Sequence, residues 1–209
     1  MGSYADDALF MSRNNIEYVE LISDDGKSKV MVIPAWQGRV MTTSAAGDEG
    51  DSYGWINYSF IKKRQIDLQF NPVGGEERFW LGPEGGVFSL YFRQGEKQIY
   101  KNWKVPPVLD IEAFKIQSQS KNCICLTKEG CLTNACGTTF YLNIKRTISL
   151  LDINEFAASF NLEFPKDIKA VAYKSDNQIT NIGNESWNKE TGLISVWTVS
   201  YTHLTLPTT

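Results

Sequence analysis

The chain has 209 residues, of which 42% are hydrophobic and 22% are charged. This length and apolar content are enough for one domain with a sizeable core. The formal net charge is −3, so neither a nucleic-acid backbone nor an anionic membrane surface is expected as the main partner. No apolar stretch reaches the length of a membrane span, and residues 1–30 lack the basic start and apolar centre of a signal peptide.

The first third of the chain has the pattern of β-structure after a polar start. Residues 1–15 are predicted to be irregular, with one short helical turn at residues 8–11. In the first predicted strand apolar and polar residues alternate, and the second is rich in apolar and β-branched residues. A turn signal lies between them, so the pair is predicted to form a β-hairpin, and a further strand follows. The predicted strands are 16–22, 29–33 and 37–43, with the turn at 24–27.

The rest of the chain continues the same pattern. No window shows a helical period over ten or more residues. Strands at short intervals with turn chemistry between them predict an all-β fold of the sandwich class. The predicted strands are 87–92, 98–103, 114–119, 123–128, 140–150, 155–162 and 168–173.

The segment 71–86 differs from its surroundings in composition. It contains five glycines, two prolines, three carboxylates, one arginine and one tryptophan. Glycine and proline at both ends predict shaped turns, and residues 76–81 between them can run extended. Because side chains alternate along a strand, Glu76, Arg78 and Trp80 are expected on one face, with the residues between them on the other.

That face has the chemistry of a carbohydrate site. A carboxylate accepts hydrogen bonds from hydroxyl groups, a guanidinium donates in a planar fork, and an indole offers a flat apolar surface to a sugar ring. We therefore predict ligand binding by Arg78 and Trp80, with Glu76, Glu77 and Glu84 as further candidates. The alternative is that Glu76 pairs with Arg78 while Trp80 packs in the core.

Glu76, Glu77 and Glu84 are of the residue type that provides the acid and the base in glycoside cleavage. Adjacent residues of a strand point to opposite faces, so Glu76 and Glu77 are not expected to enter one cleft without a bulge. No catalytic residue is therefore predicted from this segment.

Four cysteines fall within fourteen residues, at positions 123, 125, 131 and 136. Their spacing is not that of a zinc ribbon, and no histidine lies nearby to complete a site. We interpret them as free thiols in or near strands, with a disulfide or a metal site as the alternatives, and we predict no cofactor.

The last eleven residues, 199–209, contain no acidic or basic residue apart from one histidine, and four of them are threonine. This stretch resembles the translation of a transposase mosaic-end sequencing adaptor. We therefore expect residues 199–209 to be a non-native tail and the chain to be an N-terminal fragment; the alternative is a natural terminal strand. His203, the only histidine of the sequence, lies in this tail and is not proposed as a catalytic base.

The segment 74–86 resembles the signature of an uncharacterised bacterial domain-of-unknown-function family that is related to galactose mutarotases (aldose 1-epimerases). Residues 54–57 and 179–187 support the resemblance, which extends over most of 16–197. It implies a two-sheet β-supersandwich with a carbohydrate-type cleft on one concave sheet, in chains longer than this one. Residues 16–198 are therefore expected to be the N-terminal portion of such a domain.

The similarity to mutarotases themselves is weaker. Glu77-Arg78 resembles their Asn-Arg pair on the cleft strand, which implies that Arg78 donates to ligand hydroxyls. Residues 180–183 resemble a mutarotase strand. In mutarotases the strand that follows it carries the catalytic histidine, and residues 193–197 are the counterpart of that following strand in this chain. Opening a sugar ring requires an acid and a base with pKa values near the working pH, and no histidine precedes residue 199.

Two function hypotheses result from these observations. The first is a carbohydrate-binding or sugar-processing protein, with the question of catalysis left open. The second is a non-catalytic structural or accessory β-sandwich domain, since one fold supports many functions.

Overall fold

The computed structural model describes residues 2–165 and 167–200. Within these residues the chain is mostly β-sheet, which agrees with the predicted all-β class. The strands are β1 Val19–Ile22, β2 Lys29–Ile33, β3 Arg39–Ser44, β4 Glu77–Gly82, β5 Lys115–Gln119, β6 Cys123–Thr133, β7 Thr139–Leu150, β8 Tyr173–Asn181 and β9 Ser195–Ser200. The α-helices are α1 Tyr4–Arg13, α2 Tyr58–Lys62, α3 Pro107–Asp110 and α4 Ile153–Ser159.

The strands form two antiparallel sheets. The first sheet has the order β1-β2-β3-β4-β9, and the second has the order β5-β6-β7-β8. β1 pairs with β2 as the predicted hairpin. The longest pairing joins β6 to β7, from Cys123 opposite Ser149 to Thr133 opposite Thr139.

The first sheet is covered on both faces. Val30 and Val32 of β2 belong to the core between the sheets, whereas Met31 and Ile33 pack with Tyr4, Met11 and Ile61 of the helices α1 and α2. This explains why β2 is a continuous apolar run instead of an alternating one, since both sides of the strand are buried.

The second sheet contributes one face to the core. On β7 every second side chain is buried and faces the first sheet, and only one of these is charged. These inward residues are Phe140, Leu142, Ile144, Arg146, Ile148 and Leu150. The alternation fixes the register of β7, because a shift by one residue would turn the whole set away from the core.

The N-terminal segment is helical over more residues than predicted. The expected turn at 8–11 is part of α1, a helix of ten residues. Ser3 accepts a hydrogen bond from the Asp6 amide, and the Asp6 carboxylate accepts one from the Ser3 amide, which forms a capping box. Tyr4, Asp7 and Met11 of α1 are buried against the first sheet, so tertiary packing stabilises a helix with a weak sequence pattern.

The strands predicted at 87–92 and 98–103 are wrong. These residues are irregular, with a 3-10 turn at Tyr100–Asn102. The aromatic side chains of these residues stack ring on ring, and the backbone does not pair as a β-strand. Trp80, Tyr91, Trp103 and Tyr100 stack in this order, and we call this group the aromatic stack.

The strand predicted at 155–162 is also wrong, because α4 occupies most of it. Asp152 accepts hydrogen bonds from the amides of Asn154 and Glu155, as an N-cap does. The strand predicted at 168–173 begins only at Tyr173, where β8 starts. A helix start signal was therefore missed and the next strand was placed too early.

No helix in the part of the chain that the structure describes is both long and apolar enough to cross a membrane.

Candidate functional site

β4 lies inside the first sheet, and all six of its residues are buried. Arg78 is 2% exposed and Trp80 is 7% exposed. The Arg78 guanidinium stacks on the Trp80 ring at 3.9 Å from its centroid and donates to Asp110 Oδ1 at 2.9 Å and to the Leu109 carbonyl at 3.0 Å. Asp110 also accepts from Asn71, at 3.0 Å from its amide and 2.6 Å from its side chain. The Arg78 charge is thus held by a buried carboxylate.

Glu84 follows β4 and is half-buried. Arg78, Trp80 and Glu84 all lie near Tyr91, whose hydroxyl donates to the Leu81 carbonyl at 2.7 Å. Burial raises the pKa of Tyr91, and the Glu84 charge raises it further. The structure therefore brings Arg78, Trp80 and Glu84 together around an aromatic core.

Glu77 faces the opposite way, into the space between the sheets. Its carboxylate pairs with the Arg146 guanidinium of β7, which also donates to the Gly38 carbonyl at 3.0 Å. Arg146 donates to Ser175 Oγ at 3.1 Å and to Asn177 Oδ1 at 2.6 Å, both on β8. We call Glu77, Arg146, Ser175 and Asn177 the Arg146 cluster. It links three strands of the two sheets through one buried cation, and its geometry agrees with the predicted alternation of β4.

Glu76 precedes β4 and does not follow its alternation. It comes after Gly74 and Gly75, which both have positive φ, and its amide donates to the Val40 carbonyl at 2.8 Å. The Glu76 Oε1 atom accepts from the Thr43 hydroxyl at 3.2 Å. The Oε2 atom is buried without a hydrogen-bond partner among the described residues. Burial raises the pKa of Glu76 to about 7, and the Glu77 charge adds to this effect.

Glu76 and Glu77 both lie near the phenol of Tyr173, the first residue of β8. Burial raises the pKa of Tyr173, and the charges of Glu76 and Glu77 raise it further. Burial also raises the pKa of Tyr53, with contributions from Asp51 and Glu76. The two neighbouring glutamates therefore share one polar region between the sheets, because the glycine turn releases Glu76 from the strand pattern.

The Glu76 carboxyl makes stability depend on pH. Its folded-state pKa lies above the ordinary value of 4.5, so between pH 4.5 and about 7 the folded state holds a proton that the unfolded state has released. The free energy of unfolding should fall through this window, by about 3 kcal/mol, and change no further from this group above it. Glu76→Gln removes the effect, so we expect the variant to gain stability over wild type as the pH rises from 5 to 8.

Urea denaturation at several pH values measures this difference. Glu96→Gln is the matched control, because Glu96 is exposed and its replacement should leave the difference from wild type independent of pH. A constant difference between Glu76→Gln and wild type over the same range would contradict the expected role of burial.

A cavity of about 710 Å³ lies at the end of the second sheet where β7 begins and β8 ends. Aromatic side chains line part of it, including Phe140, Tyr141 and Trp187, and the Tyr141 ring is 55% exposed. Ile182 and Gly183 also line it, and the rest are side chains with amide, hydroxyl or carboxylate groups, namely Thr138, Thr139, Asn181, Asn184, Glu185, Ser186, Asn188 and Thr191. This mixture of flat rings and hydrogen-bonding groups suits a polar, hydroxyl-rich ligand.

The cavity is lined by residues 181–187, most of the segment 179–187 that supports the family resemblance. The Asn181 side chain donates to the Glu185 carbonyl at 2.8 Å and accepts from the Gly183 amide at 2.9 Å, so it fixes the bend after β8. Trp187 packs edge-on against Phe140, with ring centroids 5.7 Å apart. Residues 181–188 therefore form a shaped wall.

Arg146 was missed in the sequence, although a signal for it exists. It occupies an inward position in the alternating run of β7, where all other members are apolar. A charged residue at such a position is rarely buried without a partner, so the pattern predicts a buried carboxylate opposite it.

In the described residues Cys123, Cys125, Cys131 and Cys136 are free thiols, and the first three lie on the same strand, β6. Across residues 2–165 and 167–200, no group of three or more histidine, cysteine or acidic side chains is arranged to hold a metal ion. His203 and most of the tail, residues 201–209, lie outside the described residues.

Comparison with known proteins gives one family and no individual relative. No curated protein and no solved structure matches the chain. Nothing found therefore links the chain to galactose mutarotases, or residues 199–209 to a sequencing adaptor. One family model matches residues 2–209, so the chain belongs to a family of unknown function, DUF6786.

Proposed function

We propose that the chain binds a carbohydrate in the cavity at the end of β7 and β8. The observation that carries this proposal is the lining of that cavity, in which an exposed tyrosine ring stands beside several side-chain amides and hydroxyls. Aromatic rings offer an apolar surface to the C–H face of a sugar, and amides both donate to and accept from hydroxyl groups. The proposal keeps the predicted ligand class and adds a site distinct from β4.

The finer prediction of a mutarotase-like supersandwich stays part of this proposal. It is supported by the two antiparallel sheets and by the sequence resemblance of 74–86. The predicted ligand residues Arg78 and Trp80 are buried in the described structure, so their part in binding requires a ligand that reaches the interior.

The second candidate function is a non-catalytic structural domain, and one observation favours it. The side chains of Arg78, Asp110 and Asn71 form a buried hydrogen-bonded group beneath the aromatic stack. Such a group shapes the core around β4 without any ligand. In this second function the segment 71–86 stabilises the folded core and binds no ligand.

Isothermal titration calorimetry with a panel of neutral monosaccharides and disaccharides tests the carbohydrate proposal. We expect Tyr141→Ala or Asn184→Ala to weaken binding by about tenfold or more, equivalent to ~1.4 kcal/mol. Both side chains are exposed, so the fold should be retained, which thermal unfolding checks.

Tyr100→Ala is the matched control, because Tyr100 is also an exposed tyrosine and does not line the cavity. Tyr141→Phe should keep most of the affinity if ring stacking dominates. The absence of saturable binding to any sugar of the panel by folded wild-type protein would favour the structural function.

A further inference from the structure

We propose that the ligand is an extended carbohydrate of several sugar rings, which lies along the inner face of β8 from the cavity to Glu76. This inference rests on the proposed function and adds the size of the ligand and a second place of contact. It depends on how the two sheets cover β7 and β8.

The first sheet covers β7 completely and β8 only in part. The inward residues of β7 are buried, whereas the corresponding residues of β8, namely Tyr173, Ser175, Asn177 and Ile179, are half-buried. Arg146 lies opposite Asn177, and Ile144 lies opposite Ile179, so the same face changes from closed to partly open between neighbouring strands. The inner face of β8 is therefore a shelf along the side of the core.

This shelf is continuous with the cavity. Asn181 is the last residue of β8 and also lines the cavity, and it lies on the same face as Asn177 and Tyr173. A strand rises about 3.3 Å per residue, so Asn181 and Asn177 are roughly 13 Å apart and Tyr173 is roughly twice as far. A single ring bound in the cavity does not reach Glu76, whereas an extended chain does.

The chemistry of the shelf selects a neutral ligand rich in hydroxyl groups. Its side chains supply a phenol, a hydroxyl and an amide, and the Arg146 charge behind them is balanced by Glu77. Lys174 and Asp176 belong to the alternate positions of β8 and form an ion pair there at 3.7 Å. Along the shelf itself, between Glu185 of the cavity and Glu76, the charges are therefore balanced.

Glu76 stands at the far end of the shelf with one carboxyl oxygen buried and unpartnered among the described residues. The titratable and charged groups that face it are Tyr53 after β3, Glu77 of β4 with Arg146 behind it, and Tyr173 of β8. Asp51 lies beyond Tyr53. A protonated Glu76 both donates to and accepts from a sugar hydroxyl, whereas the carboxylate only accepts and must lose its hydration to do so.

Calorimetric titration of the wild-type protein with glucose and with the cello- and malto-oligosaccharides of two to six units tests the inference at pH 6 and pH 8. We expect affinity to rise about tenfold or more from one ring to the longer chains of the preferred series. The longer chains should bind several-fold more weakly at pH 8 than at pH 6, because Glu76 loses its proton between these values. Binding of a single ring should not change.

Glu76→Gln should keep the preference for longer chains and lose its pH dependence, since glutamine donates and accepts at every pH. Lys174→Gln is the matched control, because Lys174 belongs to the same strand and to its other face, and its replacement should change neither property. The length dependence in wild type needs no variant and supports the inference even if Glu76→Gln fails to fold.

Two results would overturn the inference and leave the proposed function intact. One is equal affinity for single rings and longer chains, and the other is a pH dependence that persists in folded Glu76→Gln. If no sugar binds at any length, the proposed function fails and the inference fails with it.

Discussion

Replacement of Arg146 by methionine should lower the free energy of unfolding by about 3–5 kcal/mol, because it leaves a buried carboxylate without its cation. Glu77 is 5% exposed and Arg146 is fully buried, so water does not replace the lost partner. Ser175 and Asn177 also lose the donor that joins β8 to β7. The measurement is urea denaturation at neutral pH.

Lys145→Met is the matched control for this experiment. Lys145 is the preceding residue of β7 and is exposed, so its replacement should change stability by about 0.5 kcal/mol or less. A double variant, Glu77→Leu with Arg146→Met, should recover a large part of the loss, since an apolar pair often replaces a buried ion pair without cost. If Arg146→Met destabilises no more than Lys145→Met, the Arg146 cluster does not hold the sheets together.

Replacement of Gly38 by alanine should cost about 2–4 kcal/mol, from backbone strain of about 1 kcal/mol and overpacking of about 1–3 kcal/mol. Gly38 has φ +64, a conformation that residues with a Cβ atom rarely adopt. An added Cβ would overlap Leu126 Cδ1 and lie 3.3 Å from Arg146 Cδ. The same glycine offers its carbonyl to Arg146, so the backbone has little freedom to move away.

Gly26→Ala separates the two contributions. Gly26 has φ +73, and a Cβ added there meets no heavy atom within 4 Å. It should therefore cost only the backbone strain, about 1 kcal/mol. The difference between the two alanine variants in denaturant unfolding measures the crowding around Arg146, and equal losses would show that the contact with Leu126 and Arg146 relaxes freely.

Local patterns were sufficient to predict β1 to β7, whereas β8 was predicted too early in the chain and β9 was inferred only from a family resemblance. Alternation in β7 and the continuous apolar run of β2 each correspond to a strand in the structure, and membership of a family of unknown function is confirmed. The errors have local causes. The helix α4 was missed because its N-cap, Asp152, was not used, and the aromatic residues of 87–103 were interpreted as strand formers although they stack as rings.

The candidate site was less accessible to sequence reasoning. The segment 71–86 was predicted to hold the site, but the partners of its charged residues are distant in sequence: Asp110 for Arg78, and Arg146 for Glu77. A strand pattern predicts which side a residue faces and does not predict whether that side is open. The raised pKa of Glu76 depends on its burial in the folded structure, and no property of residue 76 itself indicates it.

The aromatic stack gives the protein an internal optical reporter. Its successive ring centroids lie 5.4, 5.8 and 6.2 Å apart, and adjacent rings are within 13° of parallel. Two indoles and two phenols held this closely in a fixed, chiral arrangement couple their electronic transitions, which gives intense circular dichroism in the near ultraviolet. Such signals vanish when specific packing is lost while secondary structure remains. The irregular segment carries three of the four rings. Its packing against β4 can therefore be followed by near-ultraviolet circular dichroism without an added label.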